Sequence, residues 1–194
     1  AGVETARRQG MKVLITDHHL PGTELPQADA IVNPNQQGCG FGSGNLAGVG
    51  VAFYVAVELS RQAQERRLRS LDCRSLLPLV ALGTVADLVP LDTNNLILVQ
   101  AGVRRIRDGR GGPGIEALCQ ASGIAPDDVT TQDLAFSLAP RINAAGRLAE
   151  MSLGVSCLGA DNVVFAQDAA LALSAKNAER RAIQADGEIL IQAD

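Results

Sequence analysis

A short apolar run that ends in three polar residues is the feature that most constrains the fold of this chain. Residues Met11–Thr16 (MKVLIT) are followed at once by Asp17, His18 and His19. The run has the length and composition of a buried strand in a parallel sheet. Because ligands bind at the carboxyl ends of strands in open α/β sheets, these three polar residues lie where chemistry is expected.

The rest of the pattern predicts one more short strand and then helices. The predicted elements are a strand at Ala30–Val32, helices over Leu46–Arg69, Cys73–Leu82, Asn94–Arg107, Ile115–Ala121 and Gln132–Leu138, an irregular segment at Pro140–Arg147, and an alanine-rich helix from Asp161 to the end. This order predicts an α/β chain: part of a parallel-sheet domain, a helical region, and a long connector helix.

The composition predicts a globular protein without a membrane-spanning segment. The chain has 194 residues, of which 46% are hydrophobic and 20% charged, an ordinary balance for a soluble domain. No apolar run approaches the ~20 residues that cross a bilayer, so a cytoplasmic protein is expected. The four cysteines form no CxxC pair, which favours buried free thiols over a zinc site. The chain starts at Ala1 and stops within a predicted helix, so a piece of a longer polypeptide is expected.

The net charge of -4 gives the chain no overall attraction to nucleic acid. Binding to DNA would therefore need a local basic patch. One candidate is a cluster of four arginines, Arg104, Arg105, Arg107 and Arg110. The other is the pair Arg141 and Arg147.

The Asp17-His18-His19 triplet has the side chains of a metal-dependent phosphodiesterase. Carboxylates and imidazoles bind Mn²⁺, and an Asp beside a His can fix the tautomer of the ring. Two divalent ions ~3.5–4 Å apart supply both the nucleophilic hydroxide and the charge neutralisation that phosphodiester hydrolysis needs. The alternative is a pair of surface histidines. These are the only two histidines of the chain, and they adjoin an Asp at a strand end, which favours the metal site.

Asp87 is the single carboxylate in an apolar run, Gly83–Leu91 (GTVADLVPL). A buried carboxylate must be capped, paired or metal-bound, because leaving it unpaired is costly. The sequence alone leaves a helix-end or turn Asp as an equal alternative.

Arg141, Asn143 and Arg147 lie among small residues in Pro140–Arg147 (PRINAAGR). Guanidinium groups match the geometry of phosphate oxygens, and small neighbours let a backbone come close, so this segment could bind phosphates. Structural salt bridges of the two arginines are an equal alternative.

Five segments, taken in order, resemble the RecJ exonucleases of the DHH phosphoesterase superfamily. They are Thr16–Gly22 (TDHHLPG), Asn33–Gln36 (NPNQ), Leu46–Phe53 (LAGVGVAF), Gly83–Leu91 and Pro140–Arg147. The resemblance covers nearly the whole chain. It implies 5′-to-3′ degradation of single-stranded DNA in recombination and repair, with two Mn²⁺ or Mg²⁺ ions in the complete enzyme. The implied partners are single-stranded DNA, a single-strand-binding protein and a helicase.

The resemblance also assigns roles to residues. It implies that His18, His19 and Asp87 are metal ligands, with His19 in contact with metal or phosphate, and that Asp17 orients them as the fourth catalytic residue. Arg141, Asn143 and Arg147 match the DNA-facing segment.

The resemblance divides the chain in two. Residues 1–158 match the C-terminal portion of the DHH domain with its helical region, and residues 159–194 match a connector helix that leads to a DHHA1-type domain outside this chain. The family's upstream aspartate motifs are also outside it, so the chain alone is expected to be inactive. The alternatives are another DHH phosphoesterase, acting on oligoribonucleotides or cyclic dinucleotides, and a non-catalytic DNA-binding relative.

Overall fold

The computed structural model describes the backbone of residues 2–147 and 151–192, and the side chains of residues 2–144 and 151–184. Within these ranges the chain is mostly helical, with a small parallel sheet of two strands. The elements are α1 (Gly2–Arg8), β1 (Leu14–Thr16), β2 (Ala30–Val32), α2 (Gly48–Glu65), α3 (Leu77–Ala86), α4 (Thr93–Arg105), α5 (Pro113–Ala121), α6 (Thr131–Asp133), α7 (Ala139–Arg147), α8 (Met151–Leu158) and α9 (Val163–Gln192).

The two strands pair in parallel, with Ile15 opposite Ile31. β2 lies where the sequence predicted it. β1 is shorter than the predicted Met11–Thr16 and is not buried, since Leu14 is 54% exposed. The prediction of a buried strand is therefore wrong for the described residues, because the sheet they form has two strands and burial on both faces needs a larger one.

The core lies among the helices rather than on the sheet. The main cluster joins α3, α4, α5 and α7 to α8 and α9, and a smaller cluster packs α2 against α3 and α4. α3 is central: its buried residues lie all round the helix, the pattern of a helix enclosed by others. Its end therefore holds a fixed position relative to α2 and α4.

The contact between α3 and α4 is close enough to require a glycine. A Cβ added at Gly102 of α4 would lie 2.3 Å from the carbonyl oxygen of Leu77 and 2.5 Å from the Cβ of Ala81. The two helix backbones therefore lie in direct contact at this point, with no side chain between them.

The segment Pro140–Arg147, predicted to be irregular, is helical and forms most of α7. A proline inside a helix lacks the N–H donor, and its ring collides with the carbonyl four residues earlier. Here a wide π-helical turn, Leu134–Leu138, comes immediately before α7 and accommodates Pro140. α8 was not predicted, and α3 extends to Ala86, beyond the predicted end at Leu82.

Four buried residues of α9, Ala166, Ala169, Ala170 and Leu173, belong to the main core. They recur every three or four residues, so one face of the first half of this helix packs on α5, α7 and α8. The predicted division at residue 159 stays a prediction.

Two of the four free cysteines, Cys119 and Cys157, are buried as predicted. Burial raises the pKa of the Cys119 thiol to about 11. Cys39 is exposed and Cys73 half-buried, so the prediction of buried thiols is wrong for these two. None of the helices in the described ranges combines the length and apolar content of a membrane-spanning segment.

Candidate metal centre

The Asp-His-His turn lies directly after β1, at the carboxyl end of the sheet. The Asp17 Oδ1 accepts hydrogen bonds from the backbone N–H of His18 (2.7 Å) and of His19 (3.1 Å), so the Asp side chain shapes the turn. The same oxygen lies 2.8 Å from the Nδ1 of His19. The His19 ring bond, followed by the two backbone N–H bonds, holds the pKa of Asp17 below its usual value.

The Asp17 contact decides how His19 can bind a metal. When Nδ1–H donates to the carboxylate, the lone pair of Nε2 is left for a cation. The His19 side chain is 76% exposed and its ring centre lies 4.2 Å from that of His18. Asp17 thus contacts the His19 ring, and its predicted orienting role at a metal site stays a prediction.

His18 and Asp87 are the two predicted ligands that the fold brings together. The His18 Nε2 lies 3.5 Å from the Asp87 Oδ2, and the two side chains are 19% and 41% exposed. Asp87 immediately follows α3, at its carboxyl end. The helix dipole places partial negative charge at this end, so the Asp87 carboxylate destabilises the helix. A cation at this position would be stabilised by both the carboxylate and the dipole.

The residue after Asp87 has a strained backbone conformation. Leu88 has a φ of 57°, in the left-handed region that usually takes Gly or Asn after a helix, and it is 79% exposed. A leucine in this conformation costs ~1–2 kcal/mol. Such backbone strain persists where the surroundings hold it, and it concentrates at functional sites.

Two asparagines that the sequence analysis left without a role support the Asp-His-His turn. The Asn35 Nδ2 donates to the backbone oxygens of His18 (2.8 Å) and Gly44 (3.0 Å), and the Asn33 Nδ2 donates to that of His19 (2.8 Å). Both follow β2, whose carboxyl end adjoins that of β1 because the strands are parallel. An Asn-x-Asn pair after the neighbouring strand was the signal that could have identified them.

Gly48, the first residue of α2, faces the His18 ring. A Cβ at this position would lie 3.4 Å from the His18 Cδ2, within van der Waals contact, so the start of α2 packs against the imidazole. His18 is thus held by its backbone oxygen on one side and by α2 on the other.

These residues fit a divalent metal only in part. Within the described side chains, no three His, Cys, Asp or Glu groups are close enough together to form a complete site. The His18 imidazole and Asp87 carboxylate are donors that suit Mn²⁺. A complete divalent-metal site would therefore need donors besides these two side chains.

The predicted phosphate-binding residues lie on α7. Asn143 is exposed, and the Arg147 side chain lies outside the described residues. The Arg141 Nε donates to the Ser174 Oγ (2.9 Å) of α9, and its Nη1 donates to the backbone oxygen of Ser137. Burial, and next the charge of Arg181, lower the pKa of Arg141. These contacts are hydrogen bonds within the fold rather than the salt bridges named as the alternative, and the phosphate-binding role stays a prediction.

The family model and the similar proteins found by sequence agree with each other. Residues 1–84 match the model of the DHH family, N-terminal domain. The chain is 48% identical to the single-stranded-DNA-specific exonuclease RecJ of Dickeya dadantii, over 97% of this chain and 34% of that protein. It is 49% identical to the protein of the same name from Escherichia coli, over 95% of this chain and 33% of the relative. The chain thus spans about a third of the length of these relatives.

Solved structures agree with the sequence matches. The fold superposes on the crystal structure of an exonuclease RecJ bound to manganese with a TM-score of 0.82 and 31% identity, covering 98% of this chain and 47% of that one. The Mn²⁺ complex of RecJ from Thermus thermophilus gives a TM-score of 0.80 and 32% identity, covering 96% of this chain and 27% of the other. Residues 1–84 thus match the DHH family, and nearly the whole chain is similar to about a third of the RecJ proteins.

Proposed function

We propose that this chain supplies part of the divalent-metal site of a 5′-to-3′ exonuclease that hydrolyses phosphodiester bonds of single-stranded DNA. The observation that carries the proposal is the 3.5 Å approach of the His18 Nε2 to the Asp87 Oδ2 at the carboxyl end of the sheet. The relatives' name, single-stranded-DNA-specific exonuclease, supports the substrate, and their Mn²⁺ and Mg²⁺ complexes support the metals.

Four residues have distinct roles in the proposed site. His18 and Asp87 bind a divalent ion directly, and His19 offers its Nε2 to metal or phosphate. Asp17 keeps the proton on the His19 Nδ1 and shapes the turn. A bound ion supplies a hydroxide nucleophile at neutral pH and neutralises charge on the phosphoryl oxygens.

The proposed DNA contacts lie on α7, where Asn143 is exposed and Arg147 ends the helix. These two residues hold phosphates of the strand in the proposal. The hydrogen bond of Arg141 to Ser174 of α9 favours a structural role for that residue over the phosphate contact that the sequence predicted.

The proposal extends to the surroundings of the site. The exposed Leu14 of β1 supports a larger parallel sheet in the complete protein, to which these two strands belong. The helix running from Val163 supports a connector to a DHHA1-type domain, although its first half packs in the core. A cytoplasmic location, a single-strand-binding protein and a helicase stay predictions.

The test uses the complete protein that contains this chain. His18→Ala and Asp87→Ala are each expected to weaken Mn²⁺ binding more than ~100-fold, because losing even a partner of a ligand costs ~10–100-fold. Degradation of a 5′-phosphorylated single strand should fall by a similar factor. The matched control is Asp127→Ala, which removes an exposed turn carboxylate far along the chain.

Two outcomes would contradict the proposal. Unchanged Mn²⁺ affinity in either ligand variant, with the control also unchanged, removes that residue from the metal site. Faster cleavage of oligoribonucleotides than of single-stranded DNA by the unmodified protein assigns it to another activity of the DHH family.

A further inference from the structure

A buried asparagine links the two segments that flank the candidate metal site. Asn95 of α4 is 0% exposed, and its Nδ2 donates to the backbone oxygens of Asn45 (2.7 Å) and Pro90 (2.9 Å). Asn45 lies in the loop that enters α2, and Pro90 lies three residues after Asp87. One amide group therefore joins parts of the chain that are far apart in sequence.

Asp92 joins the same two segments a second time. Its Oδ2 accepts hydrogen bonds from the Ser43 Oγ (2.6 Å) and the Asn45 Nδ2 (3.3 Å), while its Oδ1 accepts from the backbone N–H of Asn95 (3.0 Å). The backbone N–H of Asn95 and then the Ser43 hydroxyl hold the pKa of Asp92 below its usual value. We name Ser43, Asn45, Asp92 and Asn95 the loop clamp.

One side of the loop clamp leads to His18. The Asn35 amide donates both to the His18 backbone oxygen and to that of Gly44, the residue between Ser43 and Asn45. Gly48 then starts α2 against the His18 ring. The backbone of the clamped loop and the position of His18 are thus linked by hydrogen bonds and by close packing.

The other side leads to Asp87. Only Leu88 and Val89 separate Asp87 from the clamped Pro90, and Leu88 holds the left-handed conformation. A strained turn of this kind needs both of its ends fixed. α3 fixes the end at Asp87, and the loop clamp fixes the end at Pro90.

We propose that Asn95, together with Asp92, is a positioning residue that sets the separation of His18 and Asp87 and thereby the affinity of the site for a divalent ion. This inference rests on the proposed metal site. The two residues act on the proposed ligands indirectly. Hydrogen bonds and the loop backbone connect the His18 oxygen, through Asn35 and the clamped loop, to the turn after Asp87.

The experiment measures Mn²⁺ affinity of the complete protein by the electron paramagnetic resonance signal of free Mn²⁺. Asn95→Leu keeps the number and branching of the side-chain heavy atoms and removes both donated hydrogen bonds. We expect it to weaken Mn²⁺ binding by up to ~10-fold, the lower end of the loss for a direct partner of a metal ligand, because Asn95 acts through the backbone. Ser43→Ala removes one bond to Asp92 and should have a smaller effect in the same direction. DNA degradation by both variants should recover at high Mn²⁺ concentration.

The control separates positioning from general stability. Thr130→Ala removes the side chain that caps α6, in a capping box with Asp133, and should lower the melting temperature without changing Mn²⁺ affinity. If Asn95→Leu lowers the melting temperature like this control and leaves Mn²⁺ affinity unchanged, the inference is wrong.

Two further comparisons keep the outcomes distinct. If Asn95→Leu does not fold, Ser43→Ala decides alone: unchanged Mn²⁺ affinity overturns the inference, and weaker binding supports it. His18→Ala is measured in the same titration. Weaker binding in His18→Ala but not in the clamp variants refutes the loop clamp only, whereas unchanged binding in His18→Ala refutes the metal site beneath it.

Discussion

Replacing Arg141 by alanine tests whether this residue holds α7 to α9 or binds the DNA backbone. The substitution removes the bond from Nε to the Ser174 Oγ and the bond from Nη1 to the Ser137 oxygen. Hydrogen bonds from a charged donor are worth ~1.5–3 kcal/mol each when buried. The guanidinium is only half-buried, and its loss also relieves repulsion from Arg181.

These opposing effects lead us to expect a net loss of about 1–2 kcal/mol in the free energy of unfolding. For a domain of this size, that loss lowers the melting temperature by roughly 5 °C. Ser174→Ala should cost less, and the double variant should cost less than the sum of the two single ones, because they share one hydrogen bond.

The assay pairs thermal unfolding with single-stranded-DNA affinity at several salt concentrations in the complete protein. A residue that neutralises one phosphate contributes ~0.7 to the slope of log affinity against log salt on single strands. We expect Arg147→Ala to make the slope shallower by about this amount at an unchanged melting temperature. Arg141→Ala should lower the melting temperature at an unchanged slope, and the reverse pattern for Arg141→Ala would refute the structural role.

Two more predictions concern the framework behind the site. Gly102→Ala places a Cβ 2.3 Å from the Leu77 oxygen. We expect this overpacking to lower the free energy of unfolding by ~1–3 kcal/mol net, after the ~1 kcal/mol that alanine gains in helix propensity is counted. A lower urea midpoint would agree with this, and a midpoint that stays or rises would show that the helices can separate without cost. The folded pKa of Asp92 lies below its unfolded value, so its ionised form stabilises the fold above about pH 4 and this stabilisation is lost as the pH falls through the folded pKa. The stability difference between the natural protein and Asp92→Asn should therefore shrink as the pH falls from about 7 to about 3, and a constant difference would contradict the pKa direction.

Local sequence signals predicted the elements that carry the candidate ligands. The apolar run before Asp17 predicted a strand there, and the structure has a shorter one, Leu14–Thr16. The second strand, β2, has the predicted bounds Ala30–Val32. Asp17, His18 and His19 are neighbours in sequence, so their closeness required no tertiary information. Their residue types alone indicated metal chemistry.

Other features depended on parts of the chain that are distant in sequence. Pro140 suggested a break, yet α7 is helical because the wide turn before it accommodates the proline ring. Asp87 had two equal interpretations, and the structure shows it both at the end of α3 and 3.5 Å from His18, so its role as a metal ligand stays a prediction. The loop clamp around Asn95 was not predicted either, because its hydrogen bonds join the loop before α2 to the turn after α3.

The sequence by itself determined the resemblance to the DHH family, the helical character of most of the chain, and the residue types of the candidate metal site, since these follow from local patterns and motifs. Only the tertiary structure decided which residues meet. Asn33 and Asn35 support the histidine backbone, Arg141 reaches α9, and Asp87 faces His18 because buried helices fix the distances between segments. Motifs specify donors and charges, whereas the separation of two side chains depends on packing between elements, which no local pattern encodes.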